Sequence, residues 1–177
     1  MPLPPPRDPD GPYRVCLVCL GNICRSPMAE VVLRAHLLAA GLAHRITVDS
    51  AGTGEWHVGQ QMNSRARAQL ARRGYDGEAH RARQFSTGWF PERDLVLAMD
   101  SSNYKDLATI AKTTPSAPSR LALFGDVTGL GGADIPDPYG GNPVEFARVL
   151  DLLESAMPVL VAELEDVLGP SGAGPVG

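Results

Sequence analysis

The sequence predicts a single α/β domain with a four-stranded, parallel, twisted sheet and helices on both faces, a Rossmann-like arrangement. Short apolar stretches typical of buried strands alternate along the chain with longer stretches of helical periodicity. Strands that are separated by helices pair in parallel through right-handed crossovers. The 177 residues suffice for one domain with a sizeable core, and no internal repeat or interdomain linker divides them.

The individual elements follow from apolar periodicity and from capping residues at the helix ends. Strands are predicted over residues 13–18, 45–50, 94–99 and 120–124. Helices are predicted over residues 28–40, 63–73, 100–112 and 143–168. We expect Ser26 to cap the first helix, with Gly41 at its end, and Asn142 to form a capping box with Glu145. Pro158 predicts a kink in the last helix.

Both chain ends are predicted to lie outside the folded domain, which spans residues 13–168. Residues 1–12 are rich in proline and lack the apolar core of a signal peptide, so we expect a disordered extension. Residues 169–177 are expected to form a disordered tail. No apolar run approaches the roughly 20 residues that a membrane-spanning helix needs.

Charge and cysteine content argue against several classes of function. Sixteen Lys and Arg face twenty Asp and Glu, which leaves a net charge of −4 and predicts no binding to nucleic acid or to a membrane. The three cysteines, Cys16, Cys19 and Cys24, are too close together for a secreted disulfide framework. No second pair of Cys or His has the spacing of a zinc site. We therefore expect a cytoplasmic monomer without metal or cofactor.

The chemistry is predicted to centre on the loop between the first strand and the first helix, Cys19-Leu20-Gly21-Asn22-Ile23-Cys24-Arg25-Ser26-Pro27. Backbone N–H groups and the helix dipole converge there on one point, which favours an anion. Arg25 closes the loop with a planar, always-charged guanidinium that suits two phosphate oxygens. The same field favours the thiolate form of Cys19. A thiolate beside a bound phosphate is a nucleophile aimed at phosphorus.

The motif Cys-x-Gly-Asn-x-Cys-Arg-Ser-Pro resembles the signature of the low-molecular-weight protein tyrosine phosphatases, and the resemblance extends over roughly residues 14–168. It implies that Cys19 attacks phosphorus while Arg25 and the loop amides hold the phosphate oxygens. Phosphotyrosine proteins or peptides are the implied substrates, and inorganic phosphate is the implied product and competitive inhibitor. The other loop residues expected to contact phosphate or substrate are Leu20, Gly21, Asn22, Ile23, Cys24 and Ser26.

The triplet Asp137-Pro138-Tyr139 is similar to the loop that carries the general acid in that family. Displacing a tyrosyl oxygen from phosphorus needs a proton donor opposite the nucleophile, and only an acid on another loop can reach that side. The local sequence alone favours an ordinary turn at Asp137, so its role is implied by the resemblance. The family usually has a second aromatic residue after this tyrosine, where this chain has Gly140. That departure bears on substrate preference and not on the chemistry.

Trp56 lies in a glycine-rich loop that resembles the family's loop whose aromatic side chain forms one side of the substrate cleft. With Tyr139 opposite, two rings would hold a phenyl group at a depth that suits phosphotyrosine and that phosphoserine is too short to reach. Without the resemblance, packing of Trp56 on its own domain is an equal interpretation. In the family, polar loop residues are linked to a serine and a histidine, which match Ser50 and His80. The local sequence alone favours a surface histidine at His80.

Cys24 has two interpretations on spacing, a small buried side chain or a close neighbour of Cys19. The resemblance implies the second, a redox guard that forms a disulfide with an oxidised Cys19. Two related activities are alternatives. A protein arginine phosphatase of similar fold tends to carry threonine in place of Ile23, and an arsenate reductase uses further cysteines, of which none follows Cys24. A non-catalytic phosphate-binding module would normally have lost Cys19, Arg25 or Asp137.

Overall fold

A computed structural model describes residues 2–170, so all but the first two residues of the predicted C-terminal tail lie outside the described residues. Its single sheet contains β1 (Tyr13–Cys19), β2 (Ile46–Gly52), β3 (Leu95–Ala98) and β4 (Leu121–Leu123). All neighbouring strands pair in parallel, in the order β2-β1-β3-β4. The predicted four-stranded parallel sheet is therefore confirmed.

Five α-helices are assigned within the described residues: α1 (Arg25–Ala39), α2 (Ser64–Arg72), α3 (Ser101–Ala111), α4 (Phe124–Val127) and α5 (Pro143–Leu168). The core has two parts because successive strand residues face opposite sides of the sheet. Val15 and Leu17 of β1 pack with α1, α2 and α5, whereas Cys16 and Val18 pack with α3. Helices thus cover both faces, as predicted. Within residues 2–170, no helix combines the length and apolar character that spanning a membrane requires.

Helix α1 begins at Arg25, three residues earlier than predicted, and Ser26 does not cap it. Cys24 occupies the N-cap position and makes no side-chain capping hydrogen bond. The Ser26 hydroxyl instead lies 3.0 Å from Cys19 Sγ, because the preceding loop uses it for its own support. The first amides of α1 therefore receive no side-chain acceptor, an arrangement that suits an external anion. At the other end Gly41 follows the helix with a φ of 73°, as expected for a residue after the C-cap.

The three other predicted helices begin with side-chain caps. Asn63 caps α2, Asp100 caps α3, and Asn142 with Glu145 completes the predicted capping box of α5. Helix α5 continues through Pro158, so the proline does not end it. Helix α4 and two 3₁₀ segments were not predicted, because elements of one or two turns are too short to show apolar periodicity.

Residues 2–12 lie against the domain, which differs from the disordered extension expected from composition. The Leu3 side chain is buried. Arg7 donates its backbone N–H to the carboxylate of Asp94 at 2.7 Å and its Nε–H to the carbonyl of Arg93 at 2.8 Å. A proline-rich composition predicts little helix or strand. Because proline restricts the unfolded backbone, however, such a segment also loses less conformational entropy when it packs against the domain. The buried Asp94 carboxylate supplies the acceptor that fixes this segment.

Candidate active site

The loop of residues 19–26 leaves β1 at its carboxyl end, where β1 lies between β2 and β3. Ligands of parallel α/β sheets bind at carboxyl ends of strands, at the point where strand order reverses. Two loop carbonyls are bonded to neighbouring segments. Cys19 O accepts from the amide of Thr53 at 2.9 Å, and Ile23 O accepts from the amide of Asn63 at 2.8 Å. These bonds fix the loop from outside.

Asn22 is the residue on which the internal support of the loop converges. It is fully buried and has a φ of 57°, in the left-handed region that asparagine tolerates better than most residues. Its Nδ2 donates to Ser26 Oγ at 2.8 Å and to Ser50 Oγ at 2.9 Å. The amide of Arg83 donates to Asn22 Oδ1 at 2.9 Å. Asn22 thus joins Ser26 of the loop to Ser50 of β2 through hydrogen bonds.

His80 supports the same residue from the backbone side. Its Nε2 lies 2.7 Å from the carbonyl oxygen of Asn22. A carbonyl oxygen only accepts, so Nε2 carries the proton. Burial lowers the pKa of His80, and the hydrogen bond to Asn22 opposes that shift without cancelling it. His80 is therefore a half-buried, neutral imidazole that positions the loop, and not the surface histidine that its local sequence suggests.

Cys19 and Cys24 are both buried beside the pocket and differ in their surroundings. Cys19 Sγ lies 3.0 Å from Ser26 Oγ and accepts from the amide of Asn22 at 3.3 Å. The Asn22 amide is a donor to this sulfur, and the Ser26 hydroxyl can act as a donor or as an acceptor. Burial raises the pKa of Cys24 to about 12, and the charges of Cys19 and Asp137 act in the same direction. Cys24 is therefore a neutral thiol at physiological pH.

Arg25 is almost completely buried, with 2% of its surface exposed. Its Nη1 donates to Asp100 Oδ2 at 2.5 Å and to the carbonyl of Ile135 at 3.0 Å, and Nη2 lies 3.6 Å from Asp137 Oδ2. Nε has no hydrogen-bond partner among residues 2–170. Burial by itself lowers the pKa of Arg25, but Cys19, Asp100 and Asp137 outweigh it, so the pKa is raised. A buried, charged guanidinium with an unused N–H is suited to bind an oxyanion.

One pocket of about 290 Å³ brings the predicted nucleophile, guanidinium and acid together with the predicted aromatic side chains. Trp56 is 68% exposed and Tyr139 is 60% exposed, so neither ring is packed into the core. Asn22, Ser26, Ser50 and His80 support the loop from behind and do not line the pocket. The residues that line it are Cys19, Leu20, Gly21, Ile23, Cys24, Arg25, Trp56, His57, Asp137 and Tyr139.

Two residues of the site were not recognised from the sequence. Asp100 stands at the start of the predicted third helix. One of its oxygens accepts from the amide of Asn103 at 2.7 Å, and the other pairs with Arg25. Its position at the carboxyl end of β3, at the same sheet edge as the loop, is a signal that could have revealed this. His57 lines the pocket beside Trp56, and only its adjacency to that residue could have indicated it.

Comparison with known proteins identifies the family. The family model for "Low molecular weight phosphotyrosine protein phosphatase" matches residues 14–168, nearly the whole domain. The chain belongs to this family. The low-molecular-weight protein-tyrosine-phosphatase of Streptomyces coelicolor is 46% identical over 156 residues, which cover 87% of this chain and 94% of that protein. Protein-tyrosine phosphatase A of Mycobacterium tuberculosis is 37% identical over 161 residues, 91% of this chain and 97% of that protein.

Solved structures with related sequences share the fold. The protein tyrosine phosphatase of Entamoeba histolytica, with Hepes in its active site, aligns with a TM-score of 0.81 and 35% identity, covering 87% of this chain and 97% of that one. Wzb of Vibrio vulnificus, in complex with benzylphosphonate, aligns with a TM-score of 0.75 and 29% identity over 85% and 98% of the two chains. The chain is thus a phosphatase, a hydrolase of phosphoric esters. Residues 1–12 lie outside the family match, which begins at residue 14.

Proposed function

We propose that this phosphatase hydrolyses phosphotyrosine in proteins or peptides through a cysteinyl-phosphate intermediate. The observation that carries the proposal is the convergence of Cys19 and Arg25, from one loop, with Asp137, from a distant segment, on one pocket. Nucleophile, oxyanion binder and proton donor are the three functions that phosphoryl transfer from an ester requires.

In the first step Cys19 Sγ forms a bond to phosphorus and the bond from phosphorus to the phenolic oxygen breaks. Arg25 and the loop amides hold the equatorial oxygens, whose charge develops in the transition state. Asp137 gives its proton to the departing oxygen, which leaves as a neutral phenol. The Ser26 hydroxyl and the Asn22 amide, which contact Cys19 Sγ, supply the donors that stabilise the thiolate.

In the second step Asp137, now a carboxylate, takes a proton from water while the water oxygen bonds to phosphorus. The bond from phosphorus to Cys19 Sγ breaks, and the sulfur leaves as a thiolate that the same donors stabilise. Inorganic phosphate is the product, and it competes with substrate for Arg25 and the loop amides. Arg25 and the loop amides supply the positive field in both steps, so groups of the protein itself suffice for this mechanism.

The exposed rings of Trp56 and Tyr139 support an aryl phosphate as substrate. Flat aromatic walls favour a phenyl ring between them, and a phosphoserine side chain is too short to bring its phosphate from the mouth to Cys19. The benzylphosphonate bound by Wzb likewise joins an aromatic ring to a tetrahedral phosphorus group. Replacing either ring with alanine should therefore weaken use of phosphotyrosine more than inhibition by inorganic phosphate.

The proposal is tested with peptides that carry phosphotyrosine, phosphoarginine or phosphoserine. Wild-type protein should release phosphate fastest from phosphotyrosine; faster release from phosphoarginine would replace this function with that of an arginine phosphatase. Cys19→Ser should keep phosphate binding and lose turnover, since the alcohol is not ionised near neutral pH. Arg25→Lys should also be severely impaired, because one ammonium does not reproduce the guanidinium fork. Turnover by Cys19→Ser above a few per cent would exclude Cys19 as the nucleophile.

A further inference from the structure

We propose that His57 and Arg65 are positioning residues for the general acid, which hold the turn of residues 137–141 against the phosphate-binding loop. The inference rests on the proposed function, because it requires Asp137 to deliver a proton.

The turn has a well-defined shape, and of residues 137–141 only Pro138 is buried. The amide of Tyr139 donates to Asp137 Oδ1 at 3.1 Å, and the amide of Gly141 donates to the carbonyl of Pro138 at 2.8 Å. Gly140 has a φ of 78°, which favours glycine, and a Cβ added there would meet nothing within 4 Å. One side of the turn is therefore open, and both its acid and its ring are exposed.

The turn is anchored at its two ends. Before it, the amide of Ile135 donates to the carbonyl of Met99 at 2.9 Å. After it, Asn142 caps α5. Between these anchors, only three side chains from other parts of residues 2–170 make polar or ring contacts with the turn: Arg25, His57 and Arg65.

His57 links the turn to the phosphate-binding loop. Its ring centroid lies 5.7 Å from that of Tyr139, with the planes inclined at 52°. On the other side, a Cβ added to Gly21 would lie 2.8 Å from Cδ2 of His57, so the imidazole rests on the loop backbone. Nδ1 lies 2.9 Å from Gln60 Oε1, which fixes the ring orientation. The imidazole therefore acts as a spacer between the loop of the nucleophile and the ring that follows the acid.

Arg65 makes the second link, from the start of α2. Its Nη1 donates to the carbonyl of Gly141 at 2.9 Å. Its backbone N–H donates to Asn63 Oδ1 at 2.8 Å, and the amide of Asn63 donates to the carbonyl of Ile23 at 2.8 Å. The first residues of α2 are thus bonded to both catalytic loops at once.

The position of Asp137 matters because a general acid has to come within about 2.6–3.2 Å of the oxygen that it protonates. A misplacement of about 1 Å can reduce the rate by up to roughly 100-fold. Weakening either contact of the turn should therefore reduce proton delivery, while the attack by Cys19 is less affected. This distinguishes a positioning role from a general loss of structure.

The experiment measures kcat/KM, which reports the first step alone, for a series of aryl phosphates whose phenols differ in acidity. His57→Ala and Arg65→Ala should each lower kcat/KM by roughly 3- to 10-fold for the least acidic phenols, the size of one lost hydrogen bond or ring contact, and by less than about 2-fold for the most acidic ones. His57→Phe, which keeps a ring against Tyr139, and Arg65→Lys, which keeps a donor, should recover part of the loss.

Arg67→Ala is the matched control, since Arg67 lies on the same helix and bonds to Met62 O and Glu78 instead of the turn. It should leave the dependence on phenol acidity unchanged. Equal losses for all phenols, or no loss in either alanine variant, would overturn the positioning role while leaving the proposed function intact. A wild-type protein that hydrolyses no aryl phosphate would instead overturn the proposed function, and this inference with it.

Discussion

Asn22→Ala removes the side chain that supports the phosphate-binding loop from within. Three hydrogen bonds disappear: the buried ones to Ser26 Oγ and Ser50 Oγ, and the partly buried one from the amide of Arg83. The new residue also has to adopt a φ of 57°, which an alanine side chain disfavours. The substitution therefore combines lost polar contacts with backbone strain.

The two contributions have separate magnitudes. Each lost hydrogen bond costs about 1 kcal/mol. Alanine in the left-handed region costs about a further 1 kcal/mol. We expect the free energy of unfolding to fall by about 4 kcal/mol, a large part of the roughly 5–15 kcal/mol that stabilises a domain. Asn22→Gly loses the same bonds without the strain, so its loss should be smaller by about 1 kcal/mol.

Urea unfolding followed by tryptophan fluorescence measures both variants against wild type, with linear extrapolation to water. The slope against denaturant should be unchanged, because the surface exposed on unfolding is nearly the same. A loss below about 1 kcal/mol in Asn22→Ala would show that the side-chain bonds of Asn22 contribute little to stability. Equal losses in the alanine and glycine variants would contradict the strain argument.

Three further outcomes follow from the geometry. The folded-state pKa of His80 is lowered, so its contribution to stability is complete above the unfolded-state pKa and is lost as pH falls below it; unfolding curves at about pH 7 and pH 5 should show that wild type loses more stability than His80→Gln. After peroxide, dithiothreitol should restore wild type but not Cys24→Ser, because a disulfide with Cys24 would protect the Cys19 sulfenic acid from further oxidation to a sulfinic acid, which thiols do not reduce; equal recovery would leave Cys24 a packing residue. Arg7→Ala should lower the free energy of unfolding by about 1–2 kcal/mol, because the side-chain hydrogen bonds to the carbonyls of Arg93 and Phe90 are lost. An unchanged free energy of unfolding would mean that the contacts of residues 2–12 do not stabilise the domain.

The features of the fold and the site that could be predicted are those that a few neighbouring residues specify. The sequence from Cys19 to Arg25 joins a strand to a helix start, and the capping box of Asn142 and Glu145 occupies four consecutive positions. Periodicity and spacing report such features directly. The parallel sheet followed from the alternation of strands and helices, which constrains topology strongly.

Contacts between distant segments could not be predicted in the same way. Arg25 pairs with Asp100 across 75 positions, and the amide of Arg83 reaches Asn22 across 61. No pattern within either segment specifies its partner. The N-terminal segment shows the same limit. Its composition indicates disorder, whereas the carboxylate that binds its backbone belongs to Asp94, which directly precedes β3 and is distant in sequence.

The central claim is that Cys19 carries the phosphoryl group between the two steps. Asp137→Ala should slow breakdown of the intermediate, while an aryl phosphate with an acidic phenol still allows its formation without a proton donor. Acid quenching of Asp137→Ala with such a substrate, followed by mass spectrometry, should find one phosphoryl group on the peptide that contains Cys19. Phosphate on another residue, or turnover of that substrate with no phosphorylated protein at any time, would contradict the claim.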